Sequence, residues 1–415
     1  MTNYEIPNKL KSGFPTIEQI ILSLIMLFTV SNVLHHFTAI RNIALCLSGG
    51  LLFFAIKTNR LKLNYYTPLL WPLTLFGAWA FLGLFFSSLD WKENVHDFVS
   101  HYLKYILFYV CFINVFTSMK RLNLLLWSIV FFFAAYYLWV MIDYYVILDN
   151  PLKVRLGDGS DYRAFAQNIE GFLTITAISF SLMFFTRTEN RSLKVLLIFC
   201  IGIFMLASFL PQSRGTLLAL VISLLVFSFR KKIVFVSLLF CIVLLLTFFD
   251  MPSRLNKSDF FKDSARIDIV LFSLQLVKEN PVMGKGFNID LFEEIRLNQS
   301  RAYEAYKARA KVKKDYHYRE AHNGLLSILV RTGTIGLFLY SWIMLSLIKL
   351  SITGIKSEKT YVSDMSFALV AAFSGFFIKC LLEPTFSHRP QTIFYLILGL
   401  QSVLWMMENR FTKAT

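Results

Sequence analysis

Apolar residues dominate this chain in long runs, and shorter polar stretches separate the runs. A membrane-spanning helix needs about 20 mostly apolar residues to cross a hydrocarbon core about 30 Å thick. Twelve such windows occur, at 18–36, 38–56, 67–87, 102–118, 122–146, 166–186, 193–210, 215–229, 232–249, 323–350, 363–382 and 391–409. The pattern predicts an all-α polytopic integral membrane protein with about 12 transmembrane helices.

The polar residues are unevenly divided between the connections, because only the interval 250–322 is both long and polar. This division predicts three parts: helices 1–9 with short loops over residues 1–249, a large loop with amphipathic helices over 250–322, and helices 10–12 with a polar tail over 323–415.

Two stretches outside the long apolar windows have the apolar spacing of helices that lie on a membrane surface. In Asp90 to Lys104 the predicted apolar face consists of Val95, Phe98, Val99, Tyr102 and Leu103, against Asp90, Glu93, Asp97 and His101. In the large loop, Asp263 or Ser264 can cap a helix whose predicted apolar face consists of Ile267, Val270, Leu271, Leu274 and Val277. Asn280-Pro281 and two nearby glycines should end that helix.

Composition and charge agree with a membrane protein. The chain is 56% hydrophobic and 16% charged, whereas soluble domains are about 25% charged. The net charge of +16 comes largely from short connections on one side of the predicted helices, so membrane topology explains it better than nucleic-acid binding does. By the positive-inside rule this side is cytoplasmic, which predicts that both termini are cytoplasmic and that the large loop lies outside.

Several kinds of site find no support in the sequence. The five cysteines all lie in apolar windows without C-x-x-C spacing, so neither a disulfide framework nor a zinc site is indicated. Gly284-Lys285-Gly286 is too short for a nucleotide-binding loop and is predicted to be a turn. Without an H-E-x-x-H or D-x-D motif, we expect neither a metal nor another cofactor.

Three side chains at the outer ends of helices could carry chemistry. Arg214 directly precedes an apolar run at the outer boundary, where it could anchor the helix or bind an anion. Arg266 falls in the first turn of the predicted loop helix, where a solvated surface arginine is the alternative. His322 stands where the loop re-enters the membrane, and an imidazole can exchange a proton near neutral pH, although a structural histidine at a helix start would look the same.

Other basic residues on the outer side are candidates for binding an anionic substrate. The run from Lys307 to Arg319 contains six Lys or Arg residues and one acidic residue, Asp315. It could be a solvated helix face or a docking surface for an anionic lipid or sugar. We take Arg319, Lys285 and Arg389 as candidate substrate-binding residues, with purely structural roles as the alternative.

With these residues, the chain resembles the O-antigen ligase and polymerase family of bacterial envelope glycosyltransferases, and more closely its ligase branch. The resemblance covers roughly residues 155–400. It is carried by Gln212-Ser213-Arg214-Gly215, by Ala265-Arg266 followed by Asn280-Pro281 and Gly284-Lys285-Gly286, and by Ala321-His322-Asn323 followed by Gly333-Thr334-Ile335-Gly336. The loop from Asn288 to Tyr318 matches nothing in the family pattern.

The resemblance implies a metal-independent, GT-C-like membrane glycosyltransferase of lipopolysaccharide biosynthesis in the bacterial inner membrane. The donor would be a glycan on undecaprenyl diphosphate and the acceptor a sugar of the lipid A core, joined at the periplasmic face. The family's two essential arginines fall on Arg214 and Arg266, and its essential histidine falls on His322.

Three alternatives to a ligase remain at this stage. An O-antigen polymerase would use the same donor chemistry with another lipid-linked glycan as acceptor, and a protein oligosaccharyltransferase belongs to the same superfamily. A multi-span transporter or flippase would also fit the number of helices. Transporters place ionisable residues near the bilayer midplane, whereas the long segments here are nearly free of charge, with Lys379 as an exception.

Overall fold

The computed structural model describes most of the chain and shows it to be helical there. The described residues are 15–34, 37–64, 66–87, 89–157, 169–230, 264–288, 291, 321–383, 385–386 and 388–412. The predicted segment 232–249, the basic run 307–319 with Arg319, and the unmatched stretch 289–318, apart from residue 291, lie outside them.

The described part contains thirteen α-helices. In chain order they are α1 Ile17–Val30, α2 Thr38–Lys57, α3 Leu70–Phe86, α4 Trp91–Phe98, α5 Lys104–Val115, α6 Met119–Ile142, α7 Glu170–Arg187, α8 Arg191–Phe209, α9 Arg214–Ser228, α10 Ser264–Glu279, α11 Gly324–Ile355, α12 Thr360–Cys380 and α13 His388–Thr412. A 3₁₀ turn, Ser31–Val33, follows α1, and π-helical turns, Val99–Leu103 and Asp143–Ile147, follow α4 and α6.

Seven helical stretches in this part are long and apolar enough to cross a membrane. They are Thr38–Lys57, Trp91–Val115, Met119–Ile147, Arg191–Phe209, Gly324–Ile355, Thr360–Cys380 and His388–Asn409. Shorter apolar helices occupy Ile17–Val33, Leu70–Phe86 and Arg214–Ser228. In lipid a backbone must satisfy its own hydrogen bonds, which helices do. The polytopic α-helical class is therefore confirmed, and the number of twelve spans stays a prediction.

Helix α12 organises the half of the bundle that contains the candidate residues. It packs against α7, α9 and α11, and α13 packs against α11 and α5. Within the span His388–Asn409, 94% of the most apolar window is buried, so α13 lies inside the bundle. The start of α9, the start of α11 and the end of α12 meet at one end of this bundle.

The predicted surface helix at Asp90 to Lys104 is instead the first part of a continuous span. Its helix α4 runs through the π-helical turn directly into α5. The predicted apolar face is also wrong in part, because Val99 and Leu103 are exposed while His101 is buried. Lipid-facing and protein-facing positions are both apolar in a spanning helix, so spacing alone does not distinguish them.

Helix α10 ends at Glu279, just before Asn280-Pro281, as predicted. On its predicted membrane-surface face, Val270, Leu271 and Leu274 are exposed, so the orientation of this face towards a membrane stays a prediction. The buried positions are Ile269, Phe272, Ser273 and Leu276. Ile269, Phe272 and Leu276 belong to a second, smaller apolar cluster, which also contains Leu89 and Val330.

The turn after α10 docks against a break in α11. The Lys285 backbone N–H donates to the Val330 carbonyl at 2.8 Å, and the Thr334 N–H donates to the Pro281 carbonyl at 2.8 Å. Gly333 interrupts α11 with φ 68° and ψ −171°. A Cβ there would collide with the Val282 backbone, so this join requires glycine both for its conformation and for its close approach. The predicted turn at Gly284-Lys285-Gly286 is confirmed, with φ of 76° and 118° at its two glycines.

Candidate active site

Two capped helix starts carry the candidate residues. Ser213 caps α9 immediately before Arg214, with its hydroxyl accepting from the Thr216 N–H at 3.4 Å. Asn323 caps α11 immediately after His322, and its side-chain oxygen accepts from the Leu326 N–H at 2.9 Å. Serine and asparagine are favoured caps because they satisfy backbone donors that the first turn leaves unpaired.

The residues just before these caps share an unusual backbone conformation. Gln212 has φ 50° and His322 has φ 47°, both in the left-handed region. Non-glycine residues in this region carry local strain of order 1 kcal/mol or more, and such strain clusters at functional sites. The chain therefore turns sharply into each helix at the point where the candidate side chains are placed.

The end of α12 joins the two helix starts. The Lys379 ammonium donates to the Ser213 hydroxyl at 3.3 Å, and the Asn323 side-chain amide donates to the Leu381 carbonyl at 3.0 Å. Gly324 packs so closely that a Cβ would lie 3.1 Å from the Cys380 carbonyl oxygen. These contacts bring the segments of Arg214 and His322 together, although Lys379 lies 166 residues after Ser213.

The carboxylate of Glu383 lies near the imidazole of His322. Its Nδ1 is 3.9 Å from Oε2 of Glu383, whose side chain is only 7% exposed, while that of His322 is 39% exposed. The distance exceeds that of a hydrogen bond, so any interaction between the two side chains is electrostatic. An exposed imidazole with an acidic neighbour is suited to accept a proton.

Arg214 begins α9 and is half-buried. It is the first residue of the helix, and at a helix N-terminus the backbone amides and the helix dipole also favour anions. Lys379, fully buried, adds a second cation at the same helix start. Arg214 and Lys379 together give the start of α9 positive charge.

Arg266 lies in the first turn of α10, as predicted, but its side chain is outside the described part of the structure. Lys285 is buried beside the turn that docks on α11, and its ammonium is 2.5 Å from Oε2 of Glu279. Its charge is thus matched by a carboxylate from the end of α10. The predicted binding roles of Arg266, Lys285 and Arg319 stay predictions.

Arg389 lies in the first turn of α13 and is buried. It forms an ion pair with Glu170, which is fully buried, and donates from Nη2 to the Val33 carbonyl at 2.9 Å. The Tyr137 hydroxyl donates to the other oxygen of Glu170 at 2.7 Å. These contacts tie the starts of α7 and α13 to the end of α1.

Three charged residues near the candidate site carried no functional prediction from the sequence. Lys379 and Glu383 lie on the segment that joins the two helix starts, and Arg331 is buried where its Nε donates to the Asn288 carbonyl at 3.1 Å. The sequence signal was weak: a lysine inside an apolar window, with a glutamate four residues later. Because residues four apart on a helix face the same side, this spacing could have suggested that Lys379 and Glu383 lie close together.

The comparison with protein families matches residues 195–341 to the family described as O-antigen ligase. This range covers α8 to the middle of α11, and so contains Arg214, Arg266, Lys285, Arg319 and His322. Lys379, Glu383 and Arg389 lie outside it. No curated protein matches the chain.

Proposed function

We propose, because residues 195–341 match the O-antigen ligase family, that this protein transfers a glycan from undecaprenyl diphosphate to a sugar of the lipid A core. The reaction would take place at the periplasmic face of the bacterial inner membrane. It would need no metal and would invert the anomeric centre.

One observation carries the proposal. The helix starts that bear Arg214 and His322 both lie in the family-matched range and meet at the end of α12. This meeting supports a cation for the leaving group and a base for the acceptor at one end of the bundle, close to the predicted membrane boundary. This is the arrangement that transfer from a lipid diphosphate requires.

Breaking the bond between the anomeric carbon and the diphosphate oxygen leaves negative charge on the diphosphate. Guanidinium groups pair with phosphate oxygens through two parallel hydrogen bonds, so arginines can stabilise this charge without a metal. In the proposed mechanism Arg214 and Arg266 bind the diphosphate. Lys379 holds the Ser213 cap that begins the Arg214 helix.

Forming the new bond requires the acceptor hydroxyl to lose its proton. The hydroxyl oxygen attacks the anomeric carbon, the proton passes to His322, and the diphosphate departs with the electron pair of the broken bond. Glu383 lies where it can stabilise the imidazolium that results. One displacement of this kind inverts the configuration of the anomeric carbon.

The test is in vitro transfer with the purified full chain, an undecaprenyl-diphosphate glycan and lipid A-core, in EDTA and without added metal. We expect glycosylated lipid A-core from wild type and its loss in Arg214→Ala, Arg266→Ala and His322→Ala. Arg266→Lys should also lose most activity, because an ammonium cannot make the bidentate contact. Arg187→Ala is the matched control, since Arg187 pairs with Asp364 near the opposite helix ends and Asp364 also contacts Arg230.

Other outcomes would indicate a different function or mechanism. Lengthening of the lipid-linked glycan in place of lipid A-core glycosylation would identify a polymerase. Activity lost in EDTA and restored by Mg²⁺ would contradict the metal-free mechanism. No product from a verified donor, together with transport of the donor across liposome membranes, would favour a flippase.

A further inference from the structure

A polar cavity lies at the starts of α2 and α13. It is a narrow cleft with about 190 Å³ of empty space, part of it open to solvent. Its polar lining comes from the starts of α2, α5 and α13 and the end of α1, and includes Arg41, Asn42, Lys104 and His388. Among the described residues no hydrogen bond or ion pair links these side chains to Arg214 or His322.

The cleft concentrates cations without a matching carboxylate in the described part of the chain. Arg41 is buried, and its guanidinium donates only to neutral oxygens, those of Asn32 at 2.9 Å and Thr38 at 2.8 Å. The Lys104 ammonium is 3.1 Å from Nδ1 of His388. Neither cation has an ion pair with an acidic side chain among the described residues.

His101 packs against His388 of this cluster. Its ring stacks on that of His388 with centroids 4.5 Å apart. It is 6% exposed, and its buried Nδ1 makes no hydrogen bond in the described part of the structure. Arg389, the next residue along α13, is neutralised by Glu170, whereas this cluster has no such partner among the residues that the structure describes.

Buried charges are costly unless an opposite charge and hydrogen bonds compensate them. A guanidinium, an ammonium, an amide and hydroxyl groups around one narrow space are the donors that a compact anion with several oxygens uses. A tetrahedral phosphoryl group matches these donor types. A planar carboxylate would satisfy fewer of them.

We propose that this cleft, lined by Arg41, Asn42, Lys104 and His388, is a binding site for a phosphoryl group. Arg41 supplies a buried guanidinium, Lys104 supplies an ammonium, and Asn42 and Thr392 add neutral polar groups. The phosphoryl group comes either from a membrane lipid headgroup or from free phosphate, since two candidate membrane spans, Thr38–Lys57 and His388–Asn409, begin at residues that line the cleft. The site is independent of the transfer reaction.

The experiment uses the full chain in detergent after phospholipid is removed, with two probes. The first is inorganic phosphate, read as a shift in the thermal unfolding midpoint against chloride at equal ionic strength. The second is phosphatidylglycerol, counted on the protein by native mass spectrometry against diacylglycerol with the same acyl chains. Binding of either phosphoryl probe to wild type is expected, and the probe that binds identifies the source.

Two variants test the location. Arg41→Gln removes the buried guanidinium, and Asn42→Asp places a carboxylate at the cleft through an exposed side chain that the fold does not need. We expect each to weaken phosphoryl binding by about tenfold or more, since charge-assisted hydrogen bonds are lost or opposed. Asn59→Asp is the matched control, because Asn59 is exposed in a turn at the other end of α2 and aspartate also tolerates its φ of 53°.

Three results would overturn the proposal. Wild type could bind neither probe. Asn42→Asp could bind as tightly as wild type and Asn59→Asp. Diacylglycerol could be retained as well as phosphatidylglycerol, which would show that the phosphoryl group is not what the protein recognises.

Discussion

Arg214 and Arg389 both stand in the first turn of a helix, and both were candidates for substrate binding. Arg389 is buried against Glu170 and joins the starts of α7 and α13. Arg214 is half-buried at the start of α9, next to the segment of His322. An arginine at a helix start can therefore hold the bundle together or offer charge to a substrate, and the two roles differ in how loss of the side chain affects stability and transfer.

The largest effect on stability is expected at Arg389. Arg389→Ala leaves Glu170 buried without its partner, which destabilises by about 3–5 kcal/mol. We expect a much lower yield of folded protein and a lower unfolding midpoint in detergent. The double variant Glu170→Gln/Arg389→Gln should recover most of that loss, because neither charge then remains buried alone.

A folded but inactive Arg389→Ala variant would contradict the contrast between Arg389 and Arg214. If Arg389→Ala keeps the wild-type unfolding midpoint and loses transfer, Arg389 binds substrate as Arg214 is proposed to do.

At Arg214 we expect the opposite pattern. Arg214→Ala should lower transfer by about 10²–10³-fold, the usual effect of removing one stabilising donor at a transition state. Its unfolding midpoint should stay close to that of wild type and of Arg187→Ala. A parallel loss of stability and activity would mean that Arg214, too, acts by holding the bundle.

A smaller effect is expected at Glu383. Glu383→Gln removes the negative charge 3.9 Å from His322 Nδ1 while keeping the side-chain shape. Transfer should fall by about tenfold, because the separation is too long for a hydrogen bond that would fix the imidazole. Donor binding should be unchanged, so a single-turnover rate together with a donor titration separates the two effects; weaker donor binding would count against this role.

The smallest effect is expected at Lys285, which resembles Arg389 in having an internal carboxylate. Lys285→Gln should change donor affinity by less than about twofold, since Glu279 already neutralises the ammonium. The exchanged pair Lys285→Glu/Glu279→Lys is the control for the ion pair itself. A clear loss of donor affinity in both variants would assign Lys285 to the substrate.

The sequence predicted most helix positions, because a backbone in lipid must form helices wherever about 20 apolar residues follow one another. It failed on which face of a helix is buried. In α10, Val270 and Leu274 of the predicted membrane-surface face are exposed, while Phe272 and Leu276, which lie outside that predicted face, are buried against protein. Apolar residues face both lipid and protein, so the periodicity could not show which face of the helix packs against protein.

The site was predictable residue by residue, but its assembly was not. Arg214 and His322 could be found as charged or titratable groups at helix starts. Their meeting depends on α12, where Lys379 contacts Ser213 and the carbonyl of Leu381 accepts from Asn323. Such contacts between distant segments follow from how helices pack and leave no local signal in the chain.

The most direct test of a single site is a double-variant cycle on the single-turnover transfer rate. Residues that act on one step as a unit lose activity non-additively. The account predicts that Arg214→Ala/His322→Ala is no slower than about the worse of the two single variants. A double loss equal to the product of the two single losses would show that the two residues act independently and would contradict one shared site.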